Sequence, residues 1–193
     1  MGLAPAETPA LTQARRNWRR MVREFADESA RGAALVAAAM LDLNLEDLLR
    51  AYLIDDPAEV EYLLGTGIQS YGSRIRISYA LGLVSEDESN DLRVVQAVRN
   101  YFAHNLHVTF EADEVKRELA RLRLLHRLLP DADQLSPRRQ LEQTACMLSV
   151  LLVRRVAEVA ERRCVRHPEP DVSALVNHCP LLNAEADSSD WQP

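Results

Sequence analysis

The sequence is poor in the residues that build sheets and tight turns. Of its 193 residues only 6 are glycine, and 5% are aromatic. That composition excludes an all-β architecture, whose short strands need aromatic and β-branched residues between frequent Gly-bearing turns. Lysine is nearly absent: Lys116 is the one lysine, and arginine supplies the rest of the 23 basic residues. Acids outnumber bases at 29, for a net charge of −6, which excludes a domain-wide basic surface for gripping duplex DNA. Cys146, Cys164 and Cys179 are odd in number and form no CxxC pair. They imply a reduced, cytoplasmic protein with neither disulfide nor metal site. The longest apolar run, Ala33–Leu41, is far shorter than the roughly 20 residues a bilayer span requires. Residues 1–12 lack the basic-then-apolar order of a secretory signal. No membrane contact and no cofactor are expected.

What the sequence does have is helical periodicity. Residues 1–10, with Pro5 and Pro9, read as a flexible leader. The residues from Leu11 to Glu28 place Trp18, Met21, Val22 and Phe25 three or four apart, as an amphipathic helix does. From Ser29 to Leu53, Leu41, Leu45, Leu48 and Tyr52 form one stripe, broadened by Val36, Met40 and Leu43, and the alanines before it allow a close helical neighbour. Asp55 or Asp56 before Pro57 starts a short helix that Gly65 closes, leaving a loop to Gly72. Ser73 to Leu83 reads as a helix carrying Ile75, Tyr79 and Leu83 on one face. Ser85 with Glu88 is a capping box opening a helix to His104, with Val95, Val98 and Phe102 inward. His107 to Phe110 reads as an extended connection, Asp113 to Leu129 as one helix, and Pro137 to about Arg163 as the last. The segment 166–193 has five acids, one arginine and no periodicity, the composition of a disordered acidic tail. The expected fold is therefore all-α: a single helical bundle of six or seven helices over residues 11–165.

The chemistry-bearing segment is Arg99-Asn100-Tyr101-Phe102-Ala103-His104. At 100° per residue, Asn100 and His104 lie about 40° apart on a helix and Arg99 and His104 about 140° apart. One helix cannot aim Arg99 and His104 at the same point, whereas two copies facing each other across a two-fold axis can. An arginine and a histidine so placed can neutralise phosphate charge and move a proton. The structural alternative has Arg99 in an internal salt bridge and His104 capping the last carbonyls.

Three blocks, residues 25–42, 73–88 and 98–104, resemble the mannitol operon repressor (MltR) family, in that family's order and over about residues 24–115. The resemblance implies an all-helical transcriptional regulator. The third block also resembles the Arg-x4-6-His signature of HEPN domains, many of them dimeric, metal-independent ribonucleases. Arg99, Asn100 and His104 match that signature and inherit the candidate catalytic roles. The chain departs from the family at Ala30, where the family carries Asp, which removes a partner for Arg31.

Glu28 and Arg31 at one helix junction, with Arg74 and Arg76 at another, are candidates for a shared polar cleft, or else tie helix ends in structural ion pairs. Arg15, Arg16, Arg19, Arg20 and Arg23 are candidate phosphate contacts, or a solvated face. No helix-turn-helix pair is visible. The leading expectation is a regulator of the MltR kind, a homodimer acting through a protein partner without direct specific DNA binding. The alternative is a HEPN-type metal-independent ribonuclease of the toxin or defence kind, or its inactive descendant, with RNA as its partner.

Overall fold

A computed structural model describes residue 25 and residues 28–169. The leader, most of the first expected helix and the tail from residue 170 lie outside the described residues. Seven helices follow: α1 (Ala30–Tyr52), α2 (Pro57–Tyr62), α3 (Tyr71–Ala80), α4 (Glu86–His104), α5 (Asp113–Leu119), α6 (Leu124–Leu128) and α7 (Pro137–Ala160). The fold is an all-α bundle, with no strand among the described residues. Among the described residues no helix is long and apolar enough to cross a membrane.

The bundle is built on α1. Ser29 caps it, accepting from the Gly32 N–H at 3.0 Å. Its buried Ala33, Ala34, Ala37, Leu41, Leu45 and Leu48 face α7, α4 and α3. Leu43, expected to broaden this stripe, is 63% exposed, because two residues from both Leu41 and Leu45 is about 200° around the helix. Tyr79 is likewise exposed. On α7, Leu148, Ser149 and Leu152 are buried, and the Ser149 hydroxyl accepts from Asn44 Nδ2 at 2.7 Å.

Two expected boundaries move, for identifiable reasons. The helix capped by Asp56 does not stop at Gly65 but widens into a π-turn over Leu63–Gly67. There the Thr66 hydroxyl and the Gln69 amide take up the carbonyls of Tyr62 and Gly65. Next, α3 begins two residues before Ser73, because Ser70 and Ser73 form a reciprocal capping box, each hydroxyl accepting the other's N–H at 3.1 Å. A serine replaces the usual acid in that box, so the motif is easy to overlook. A Cβ on Gly72 would come within 2.5 Å of the Gln96 amide nitrogen, so α3 starts close against α4. Gly82, at φ +69°, then turns the chain into the Ser85 cap.

The single helix expected over Asp113–Leu129 is two helices. Asp91 of α4 is fully buried, and its carboxylate accepts the N–H groups of Arg123 (2.8 Å) and Leu124 (3.0 Å), capping α6 from across the bundle. Asn90 donates to the Arg121 carbonyl at 2.8 Å in the same break. Residues 107–110 pair with no strand, and Phe110 packs on Phe102 with ring centroids 4.9 Å apart, anchoring the connection that follows α4. After α7, which ends at Ala160 rather than near Arg163, the Cys164 N–H bonds the Tyr52 carbonyl and Arg166 pairs with Asp56. The first residues of the expected tail thus lie against the α1–α2 junction.

Candidate functional site

Burial of Val98 and Phe102 decides what the end of α4 shows to solvent. With those two positions inward, Arg99 and His104 are exposed and Asn100 is half-buried. Arg99 Nη1 donates to Asn100 Oδ1 at 2.9 Å. This leaves the Asn100 amide N–H groups free to donate elsewhere.

The structural alternatives for this segment are not realised among the described residues. Arg99 has no carboxylate partner there, whereas Arg50, Arg74, Arg121, Arg123, Arg138 and Arg155, among others, are each neutralised by an acid. His104 does not cap α4: the Asn105 N–H (3.2 Å) and Asn105 Nδ2 (2.9 Å) both bond the Tyr101 carbonyl. Arg31 Nη2 donates to the Asn105 carbonyl at 2.6 Å. The start of α1 is thereby tied to the end of α4 through a main-chain acceptor.

Two clefts flank Asn100. One, of about 430 Å³, runs between α1 (Ala38, Asp42), the start of α3 (Tyr71, Gly72) and α4, where Gln96, Arg99 and Asn100 line it. The other, of about 710 Å³, lies between the end of α4 and α5, lined by Asn100, Tyr101, His104, Asn105, Glu114 and Arg117 over a floor that includes Val115. Arg99 lines only the first and His104 only the second, so the angular offset of the two residues becomes a physical separation. In the second cleft the Tyr101 hydroxyl donates to Glu114 Oε2 at 3.0 Å. That bond holds the phenol above its ordinary range. The Glu114 carboxyl is held low by its own backbone N–H and by Tyr101.

The other candidates disperse. Arg74 is 8% exposed and paired with Asp42 (2.7 Å) and Glu46 (2.9 Å), so it stands behind the first cleft as the counter-charge of its acid wall. Arg76 is exposed on α3, and the main-chain carbonyl of Glu28 accepts from Arg138 at 3.0 Å. None of Glu28, Arg31, Arg74 and Arg76 lines either cleft. Arg15, Arg16, Arg19, Arg20 and Arg23 lie outside the described residues. Burial, with Glu142 nearby, pushes the Cys146 thiol up to about 12, which makes it a poor nucleophile. Among the described residues no cluster of three or more His, Cys, Asp or Glu side chains has the arrangement to hold a metal ion. Sequence reading missed Tyr101, Asn105 and Glu114 as cleft residues: the first two adjoin recognised positions, and Glu114 carries no sequence signal.

Comparison of the chain with protein families, with curated proteins and with solved structures finds no match.

Proposed function

We propose that the exposed end of α4 is the working surface of this protein and that it acts on single-stranded RNA, as a metal-independent ribonuclease of the kind the Arg-x4-His resemblance implies. The observation that supports this reading is that Arg99 and His104 carry no ion pair and no cap among the described residues. In a bundle whose arginines are mostly neutralised, Arg99 has only Asn100 as a partner and His104 has none among the described residues. Neither the internal ion pair nor the helix cap expected of this segment is seen among the described residues, which supports the chemical reading.

The proposed reaction is attack of the ribose 2′-hydroxyl on the adjacent phosphorus, forming a 2′,3′-cyclic phosphate and expelling the 5′-hydroxyl of the next nucleotide. His104 moves a proton, Arg99 neutralises charge on the non-bridging oxygens, and Asn100 orients the phosphate. Because Arg99 and His104 open onto different clefts, the working unit is a homodimer that pairs one copy's Arg99 with the other's His104. The test is cleavage of an end-labelled single-stranded RNA with a chelator present. Wild type cuts, Arg99→Ala and His104→Ala do not, and mixing the two variants restores part of the activity. Intact RNA with wild type overturns the proposal.

A second reading, the MltR-type regulator acting through a protein partner, draws on the same ion-pair pattern. The described basic side chains are largely spent on neighbouring acids, which suits contact with a protein better than a grip on duplex DNA. Co-purification of one defined partner, lost on altering the end of α4 while RNA stays intact, would favour it.

A further inference from the structure

The α4–α5 cleft is larger than the phosphate-handling groups need, and its chemistry differs from that of a phosphate site. Its floor is apolar at Val98 and Val115, and its walls carry the Tyr101 and His104 rings. Its rim is close to neutral, because Arg117 lies 3.7 Å from Glu114 and Arg121 lies 2.6 Å from Glu118. A cleft with an apolar floor, ring-bearing walls and a polar edge suits a nucleobase. Unstacked RNA bases are recognised by stacking on aromatic or histidine side chains and by hydrogen bonds along their edges. At about 710 Å³ the cleft lies within the range of small-molecule sites.

Building on the RNA reading above, we propose that this cleft is a base-binding subsite beside the scissile phosphate, and that it prefers guanine. The polar edge sets the preference. Glu114 accepts from Tyr101 and from its own N–H and faces Arg117 at 3.7 Å, and with about four lone-pair sites it keeps acceptor capacity for a ligand. Guanine presents N1–H and N2–H side by side, a pair of donors that a carboxylate meets in bidentate fashion, whereas uracil offers a single ring N–H flanked by carbonyls that the carboxylate repels. Asn105 spends its Nδ2 on the Tyr101 carbonyl, which leaves its Oδ1 as a further acceptor. Tyr101 is a positioning residue: its hydroxyl fixes Glu114, and its ring forms part of the wall.

The test is fluorescence anisotropy of the full chain with two labelled pentanucleotides, UUGUU and UUUUU, whose 2′-hydroxyls are methylated so that they bind without being cut, at low salt. Wild type is expected to bind UUGUU at least 5-fold more tightly. Glu114→Gln is expected to erase the difference by weakening UUGUU while UUUUU is bound no less tightly, and Tyr101→Phe to shrink it, both with unaltered helical circular dichroism. Equal binding of the two RNAs by wild type, or a preference that survives Glu114→Gln, overturns the subsite and leaves the RNA reading standing. Absence of binding to either RNA overturns both.

Discussion

Replacing Glu88 by alanine removes a buried carboxylate that accepts three hydrogen bonds. Its side chain is 5% exposed, and it takes both Arg155 Nη groups at 2.8 Å and the Ser85 N–H at 2.6 Å, while Arg155 Nη1 also reaches the Leu83 carbonyl. The Ser85 bond is half of the capping box, worth roughly 1 kcal/mol. Removing one member of a fully buried pair costs about 3–5 kcal/mol. Here Arg155 keeps 23% of its side chain in water and its bond to Leu83, so about 2 kcal/mol of that cost remains. The expected loss is about 3 kcal/mol, which lowers the melting temperature by roughly 6–12 °C in a chain of this size. Ser85→Ala should cost only about 1 kcal/mol. Adding Arg155→Met to Glu88→Ala should recover part of the loss, because the stranded charge goes with it. Burial raises the Glu88 carboxyl pKa, but the Arg155 and Ser85 bonds outweigh it and leave the group below its ordinary 4.5. A depressed carboxyl stabilises the fold above its unfolded pKa and loses that contribution as pH falls through its folded pKa. The gap between wild type and Glu88→Ala should therefore be full at neutral pH and close under acid. Urea melts across that range check this, and a loss below about 1 kcal/mol at pH 7, or a gap that widens in acid, refutes the reasoning.

Three further outcomes are expected. Asp91→Ala strands the N–H groups of Arg123 and Leu124 and should cost about 2–4 kcal/mol, with faster hydrogen exchange at the Leu124 amide than at core amides of α1. His104→Ala and Arg99→Ala, at exposed positions, should each change stability by less than about 0.5 kcal/mol in the same melts, so that lost activity reports on chemistry and not on folding. Mobility shift with duplex DNA at about 150 mM salt should show no sharp, competitor-resistant complex.

The helical class, the Ser85 box, the Asp56-Pro57 start and the inward Val95, Val98 and Phe102 were legible in the sequence because each is a local signal with a fixed period or spacing. The break between α5 and α6 was not. It is made by Asp91, some thirty residues away in the chain, and local propensity carries no trace of a long-range cap. The α3 start was hidden by a serine where the familiar box has an acid. At the candidate site, the separation of Arg99 from His104 followed from helix geometry alone. The cleft that His104 opens onto depends on where α5 docks, which no spacing within α4 encodes. The sequence blocks put the regulator first, and the lack of structural duties at Arg99 and His104 brings the RNA reading forward.

The central claim is that RNA meets the protein at the end of α4, and the imidazole of His104 is a direct probe of it. Its proton NMR signal, assigned by its absence in His104→Ala, can be followed while a short single-stranded RNA with methylated 2′-hydroxyls, which cannot be cut, is added to the full chain. The account predicts a progressive, saturating shift of the His104 signal with the His126 signal unmoved. A His104 signal that stays in place throughout the titration contradicts it.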